Sequence, residues 1–208
     1  MIVYIESNFV LEMALEQEQV SAANAVFTLA ESEKIGLAFS SFVLSECYEC
    51  IIRERRTRNE LHKSLVTQLN YLQRSKPHEG IKLDLEPMVN VLKEAHMRQI
   101  ELLHETLDRL LSIGDSIEID VTCFREALRY QQVLSLSPQD SIIYAAIVAD
   151  LKKRSLEEKK YFLSKDRRAF DNDDDRDIKA ELATYNCHYI GSFAQGLDAI
   201  KHVLKPTE

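Results

Sequence analysis

The sequence lacks the marks of an exported or membrane-spanning protein. No segment with the basic, apolar and small-residue layout of a signal peptide opens the chain, and the longest apolar run, residues 142–149, is far shorter than the roughly 20 residues that span a bilayer. The four cysteines occur without the short, signal-bearing chain in which disulfide frameworks are usual, so we expect reduced thiols. We therefore expect a soluble, cytoplasmic protein without membrane contact.

An excess of positive charge is also absent. The 34 acidic and 26 basic side chains give a net charge of −8, which argues against a protein that coats nucleic acid through its overall charge. Any contact with nucleic acid must come from local basic patches. No internal repeat or Gly/Ser-rich linker divides the 208 residues, and 45% of them are apolar, so we expect one domain over residues 1–208.

The sequence does contain an alternation of short apolar runs and helical patterns. Strands are predicted at residues 2–5, 36–40, 161–164 and 187–190, with a weaker one at 117–119. Helices are predicted at about 9–18, 20–34, 41–74, 86–113, 122–133, 138–153 and 177–184, and after Ser192. Strands separated by helices indicate a three-layer α/β/α protein, with a central parallel sheet between two layers of helices.

The two longest predicted helices form a separate feature. They are joined by a loop at residues 76–80, and the second helix carries a stripe of apolar side chains. We expect a helical hairpin at about residues 53–115 that is added to the sheet domain. If its apolar stripe is exposed, the hairpin should form a homodimer or bind a protein partner.

Acidic residues directly follow two of the predicted strands. Glu6 comes after residues 2–5, and Asp166 comes shortly after residues 161–164. In open α/β sheets ligands bind beyond the carboxyl ends of the strands, so both carboxylates are predicted at a ligand-binding edge. Each also has a structural interpretation, because Glu6 could cap the following helix and Asp166 could be a turn residue.

Two further acids lie on apolar helix faces. Helical spacing places Glu46 beside Val43 and Asp140 beside Ile143, where an isolated charge is costly to bury. Structural interpretations stay open here too, since Glu46 could turn toward solvent and Asp140 could complete a helix cap that begins at Ser137.

A divalent cation would compensate all four carboxylates. Two carboxylates 4 Å apart repel by about 4 kcal/mol at an effective dielectric constant of 20. Mg²⁺ and Mn²⁺ take carboxylate oxygens and water as ligands, and such an ion can activate a water and neutralise charge on a phosphoryl group. The four acids therefore predict a Mg²⁺ or Mn²⁺ site, or raised pKa values.

Four segments resemble, in order, those of the PIN-domain family of metal-dependent ribonucleases, which includes toxins of bacterial toxin–antitoxin systems. The segments are residues 2–11 around Glu6, Ser45-Glu46, residues 136–146 around Asp140 and residues 162–170 around Asp166. The resemblance covers about residues 1–52 and 120–195 and leaves the hairpin unmatched.

The resemblance implies a PIN-like fold and an endoribonuclease that hydrolyses RNA phosphodiester bonds with metal-activated water. Glu6, Glu46, Asp140 and Asp166 would be its metal ligands and catalytic residues, on Mg²⁺ or Mn²⁺. Asn8 would orient a ligand or a water from outside the ligand set.

One departure from the family motivates an alternative function. Glu6 stands where the family has aspartate, and Mg²⁺ tolerates displaced ligands poorly. The alternative is a catalytically inactive PIN-fold protein that acts as a binding or scaffold module. A third hypothesis is a carboxylate-metal phosphohydrolase that acts on small substrates.

Basic residues supply candidate contacts to RNA. Lys165 and Arg167 flank Asp166, and a second basic run occupies residues 53–63 of the long helix. A basic run is more often a solvated helix face, so the two interpretations stand side by side.

Two minor motifs have structural interpretations beside functional ones. Asp171, in the acidic run 171–177, is a further candidate metal ligand, although such acids also favour the start of a following helix. Cys47 and Cys50 have the spacing of zinc ligands, but their position within a helix favours buried structural thiols.

Overall fold

A five-stranded, all-parallel sheet forms the centre of the protein in the computed structural model, which describes residues 1–78, 85–171 and 176–205. The strands are β1 (Ile2–Ile5), β2 (Gly36–Ser40), β3 (Gly114–Ile117), β4 (Lys160–Leu163) and β5 (Cys187–Ile190), in the spatial order β3-β2-β1-β4-β5. β1 is the central strand, since Ile5 pairs with Phe39 on one side and with Leu163 on the other. The carboxyl ends of β1, β2 and β4 therefore meet at one edge.

Helices connect the strands along the chain. They are α1 (Ser7–Ala14), α2 (Val20–Glu31), α3 (Phe42–Leu72), α4 (Glu86–Ile113), α5 (Val121–Val133), α6 (Pro138–Leu151), α7 (Arg167–Phe170), α8 (Arg176–Thr184) and α9 (Phe193–Leu204). The predicted α/β class with a central parallel sheet is confirmed.

Side chains that alternate along the strands build a core on each face of the sheet. Val3 and Ile5 of β1 point to a core that is shared with α1, α2, α9 and the inner parts of α3 and α4. Ile2 and Tyr4 point to the opposite core, which α5, α6 and α8 cover. Because both faces are covered, the central strands β1 and β4 are fully buried and almost continuously apolar, as is typical of parallel sheets.

The largest difference from the prediction lies at β3. The sequence predicted a strand at residues 117–119, whereas β3 begins at Gly114, directly after the last residue of α4. A Cβ atom on Gly114 would lie 2.8 Å from the Leu110 carbonyl oxygen and 2.9 Å from the Phe39 ring. The glycine therefore permits an abrupt change from helix to strand that hydrophobic periodicity does not reveal.

The first helix also ends earlier than predicted, at Ala14 instead of residue 18. Glu16 adopts a φ of 49°, in the left-handed region that terminates a right-handed helix. Other predicted helices and strands overlap the observed ones and differ by up to a few residues at their ends.

The two long helices extend away from the core, as a hairpin would. The buried residues of α3 are Val43, Cys47 and Ile51, and those of α4 are Leu103, Thr106, Leu107 and Leu110. The outer halves of both helices, as far as described, contain no buried residue. A short 3-10 turn at Lys76–His78 follows α3, and residues 79 and 80 of the predicted loop lie outside the described residues.

Within the described ranges, no helix combines the length and the apolar composition needed to cross a membrane.

Candidate functional site

The order of the strands sets the position of the candidate site. The chain proceeds from β1 to β2 and β3 on one side and then continues with β4 and β5 on the other, so the order reverses between β1 and β4. In open α/β sheets ligands bind in the crevice at the carboxyl ends of the strands at such a reversal. Glu6 directly follows β1, and Ser164 directly follows β4.

Ser164 connects the ends of these two strands. Its hydroxyl donates a hydrogen bond to Glu6 Oε1 and accepts one from the Asp166 amide at 2.9 Å. The Asn8 side-chain amide lies 3.5 Å from the same hydroxyl, and Asn8 Oδ1 accepts a hydrogen bond from the Lys165 amide at 3.4 Å. Asn8 therefore contacts the same hydroxyl that binds Glu6 and the Asp166 amide.

Glu6 is the most deeply buried member of the predicted acidic set. Burial raises its pKa to about 8, while the Ser164 hydrogen bond opposes the rise and the charges of Glu46, Asp166 and Asp140 add to it. Glu6 occupies the N-cap position of α1, but its side chain makes no capping hydrogen bond. The capping hypothesis for Glu6 is therefore wrong. Because the pKa of Glu6 is raised to about 8, its carboxyl group is mostly protonated at pH 7.

Glu46 lies in the second turn of α3 with one oxygen buried. Its Oε2 finds no hydrogen-bond partner among the described residues. Burial raises the pKa of Glu46, a hydrogen bond with the Ser7 side chain lowers it, and the charge of Asp140 raises it further. A buried carboxylate oxygen without a donor is costly, and a cation would satisfy it.

Asp140 belongs to a helix cap. Ser137 occupies the N-cap of α6, its hydroxyl accepts a hydrogen bond from the Asp140 amide at 3.2 Å, and it donates one to Asp140 Oδ2 at 2.5 Å. The capping interpretation of this segment is confirmed. Burial nevertheless raises the pKa of Asp140, the Ser137 hydrogen bond lowers it, and the charge of Asp166 raises it. Asp140 is thus both a capping partner and a neighbour of the other acids.

Asp166 also has a structural role. Its Oδ1 accepts a hydrogen bond from the Ala169 amide at 3.0 Å and caps the four-residue helix α7. The carboxylate nevertheless raises the pKa values of Glu6, Glu46 and Asp140 through its charge. The four predicted acids therefore share one electrostatic environment at the edge of the sheet.

The acids are neighbours without forming a compact ligand set. Within residues 1–78, 85–171 and 176–205, no three His, Cys, Asp or Glu side chains are grouped so that they could hold a metal ion. The available donors are carboxylate oxygens, the type that Mg²⁺ and Mn²⁺ prefer. The donor chemistry fits such an ion, whereas coordination requires side-chain movement.

The remaining predicted site residues are Lys165, Arg167 and Asp171, and two of them form ion pairs. Lys165 Nζ forms an ion pair with Oε2 of the fully buried Glu12 at 2.8 Å, so its charge is already compensated. Arg167 is exposed at the start of α7. The carboxylate of Asp171 forms an ion pair with Lys179, outside the group of four acids.

Sequence reasoning did not identify Glu12 or Ser7. Glu12 shares its helix face with apolar residues of α1, the same signal that marked Glu46. Ser7 directly follows Glu6 and bonds to Glu46, a long-range contact that no local pattern indicates.

The cysteines are all free, as expected. The Cys47 thiol lies 3.7 Å from the Ser7 carbonyl oxygen, and burial raises its pKa well above the ordinary value. The structural interpretation of Cys47 is supported by this burial.

Comparison of the chain with protein-family models, with curated proteins and with solved structures finds no match.

Proposed function

We propose that the protein is a divalent-metal-dependent endoribonuclease with a PIN-like fold, in which Glu6, Glu46, Asp140 and Asp166 hold Mg²⁺ or Mn²⁺. The main support is that four acids lie where the strand order reverses, and that burial and the charges of the neighbouring acids raise the pKa values of Glu6, Glu46 and Asp140. The choice of RNA as substrate rests on the family resemblance of the four sequence segments.

The chain's own residues would prepare the site in two ways. Ser164 fixes the Glu6 carboxyl group through its hydroxyl. Glu46 presents a buried oxygen without a donor. The bound ion would supply an activated water and would neutralise charge on the phosphoryl group.

Binding requires the acidic side chains to approach one another. Asp140 Oδ2 would exchange its hydrogen bond with the Ser137 hydroxyl for the cation, and the buried Glu46 Oε2 would gain a partner. Both side chains are partly exposed, which favours such movement. The Ser137 amide cap can persist, because it uses the Asp140 backbone.

The alternative function is a PIN-fold binding or scaffold protein without nuclease activity. The hydrogen bond between Ser137 and the Asp140 carboxylate favours this alternative, because it gives Asp140 a structural role at the start of α6. A phosphohydrolase of small substrates would use the same acids and differ only in what it cleaves.

Calorimetric titration with Mn²⁺ and an RNA-cleavage assay distinguish these functions. The wild type should bind Mn²⁺ and cleave RNA, and Asp140→Asn should lower metal affinity and cleavage by at least about tenfold. Asp108→Asn, at an exposed position of α4, is the matched control and should behave as the wild type. Absence of Mn²⁺ binding would exclude both enzymes, and Mn²⁺ binding without RNA cleavage would favour the phosphohydrolase.

A further inference from the structure

A second candidate binding site lies between the two long helices. Two adjoining cavities of about 470 and 620 Å³ open between α3 and α4, and both are lined by Arg55, Asn59 and His96. We call the combined space the hairpin groove. It extends outward from Tyr48, Ile51 and Leu103, along the parts of α3 and α4 that bury no residue.

The charged side chains that line the hairpin groove are all cationic. They are Arg55, Arg56, Arg58 and Lys93, and no described Asp or Glu lines either cavity. In a chain with a net charge of −8, this groove is a local positive patch.

Most of these cations are not neutralised by the described part of the chain. Among the described residues, no ion pair involves Arg55, Arg56 or Lys93. Arg58 donates a hydrogen bond to the neutral Gln99 Oε1 at 3.0 Å. An anionic ligand would therefore meet charges that are available for pairing.

His96 adds an unsatisfied polar atom where the two cavities join. Its Nδ1 is buried and has no hydrogen-bond partner among the described residues. Burial lowers the pKa of His96, and the charges of Arg55 and Arg58 lower it further, so the imidazole is neutral at pH 7. A neutral imidazole can donate a hydrogen bond to a ligand in the groove or accept one from it.

Apolar and aromatic side chains line the groove between the cations. Ile52 and Ile100 line the inner cavity, and Leu92 lines the outer one. At the inner end the Tyr48 ring lies 5.9 Å from the His104 ring, and Tyr48 is 44% exposed. These surfaces suit the flat faces of unpaired bases.

The groove is elongated along α3. Tyr48 and His62 mark its ends on this helix, a separation of about 21 Å at 1.5 Å per residue. A stacked strand with roughly 3.4 Å per nucleotide would place about six nucleotides over this length. Because Arg55 is nine residues after Glu46, it points about 180° away from Glu46 around α3. The hairpin groove is therefore distinct from the acidic site.

We propose that the hairpin groove binds a single strand of RNA, with guanidinium groups on its phosphates and with bases against the apolar and aromatic side chains. The choice of RNA over DNA rests on the proposed function. A duplex fits poorly, because its bases are not available to these side chains. An acidic protein segment would satisfy the cations but leave no role for the exposed Tyr48 ring beside His104.

Fluorescence anisotropy with a labelled 12-nucleotide RNA in EDTA tests this binding without cleavage. Arg55→Gln combined with Arg58→Gln should weaken binding by about tenfold and reduce the slope of log affinity against log salt by about 1.4, for two phosphate contacts. Arg125→Gln, at an exposed position of α5, is the matched control. Tyr48→Ala should weaken binding by about fivefold or more, and Tyr48→Phe should preserve it.

The outcomes separate this inference from the nuclease proposal. Asp140→Asn should bind RNA as the wild type does, even if it has lost cleavage. Wild-type protein that fails to bind RNA, or groove variants with unchanged affinity and salt slope, would overturn the inference whatever the cleavage assay shows. We expect an unlabelled single-stranded RNA to displace the labelled RNA, and an acidic peptide of equal charge to leave it bound. Displacement by the peptide but not by the RNA would also overturn the inference.

Discussion

At the scale of single residues, the hydrogen bond from the Ser164 hydroxyl to Glu6 joins two distant parts of the chain. The carboxyl group is buried where β1 ends, and Ser164 at the end of β4 is its hydrogen-bond donor. A carboxyl group in this position resists ionisation, because burial favours its neutral form. Its proton is therefore linked to the stability of the folded protein.

The first prediction concerns the pH dependence of stability. The pKa of Glu6 rises from an ordinary value of 4.5 to about 8 on folding, so between these pH values the folded state keeps a proton that the unfolded state has lost. The contribution of Glu6 to the free energy of unfolding is therefore fully present below pH 4.5. Above that pH the contribution falls by up to about 1.4 kcal/mol per pH unit until pH 8. Glu6→Gln removes this loss, so the stability of the variant relative to the wild type should increase from pH 5 to pH 8.

Urea unfolding in EDTA at several pH values measures this effect. Glu60→Gln makes the same chemical change at an exposed position of α3 and should leave the pH dependence unaltered. A constant difference between Glu6→Gln and wild type across this range would contradict the assigned protonation of Glu6.

The sequence predicted the environment of single residues where neighbouring residues in the chain determine that environment. The strand ends predicted the positions of Glu6 and Asp166, and the apolar helix face predicted a desolvated Glu46. The contact of Ser7 with Glu46 is not predictable in this way, because it joins two helices that separate parts of the chain supply. For the same reason, the sequence alone does not give the separation between the acids.

At the scale of elements, the packing of α9 on β4 depends on a glycine, Gly196, which has no side chain. A Cβ atom on Gly196 would lie 2.6 Å from Leu163 Cδ2 and 3.0 Å from Cδ1. Leu163 is fully buried and adjoins Ser164. The close approach of this helix therefore helps to hold the strand that ends at the candidate site.

The second prediction follows from this contact. Gly196→Ala should destabilise the protein by about 1–3 kcal/mol, because Leu163 must move within a packed core. Thermal and urea unfolding measure the change. At Gly191 the nearest atoms to an added Cβ are 3.3 Å away, on Arg167 and Tyr189, so Gly191→Ala should cost less. Equal stabilities for the two variants would show that α9 can shift without cost.

Most elements could be predicted because they have regular hydrophobic periods. The four stronger predicted strands are present, since each is a short apolar run between helical patterns. β3 was misplaced because it contains Asp115 and Ser116, whose side chains are exposed, and its pairing with β2 comes from tertiary structure. Strand order is likewise a tertiary property that no local pattern specifies.

At the scale of the whole molecule, stability is distributed unevenly. The sheet is covered on both faces, whereas the described outer halves of α3 and α4 bury no residue. Segments with few buried contacts open locally at a free energy well below that of global unfolding. The hairpin is therefore expected to open independently of the sheet.

The third prediction is that native-state hydrogen exchange divides the chain in this way. Amides in residues 55–72 and 86–100 should exchange much faster than those of β1 and β4, because their opening exposes little apolar surface. Exchange measured by mass spectrometry after pepsin digestion would show the contrast, with α6 as a protected helical control. Equal protection in the hairpin and in α6 would indicate that the hairpin is stabilised by contacts with another molecule.

The central position of β1 also governs the order of events during synthesis. Ile2 pairs with Lys160, so β1 gains its second neighbour only after Lys160 has been synthesised, which at 5–20 residues per second takes roughly 8–30 s. During that interval Glu6 is not yet covered by Ser164, and one edge of β1 is unpaired. A nascent chain that stops before residue 160 therefore cannot assemble the crevice, and the acidic site becomes complete only after residue 166 has been synthesised.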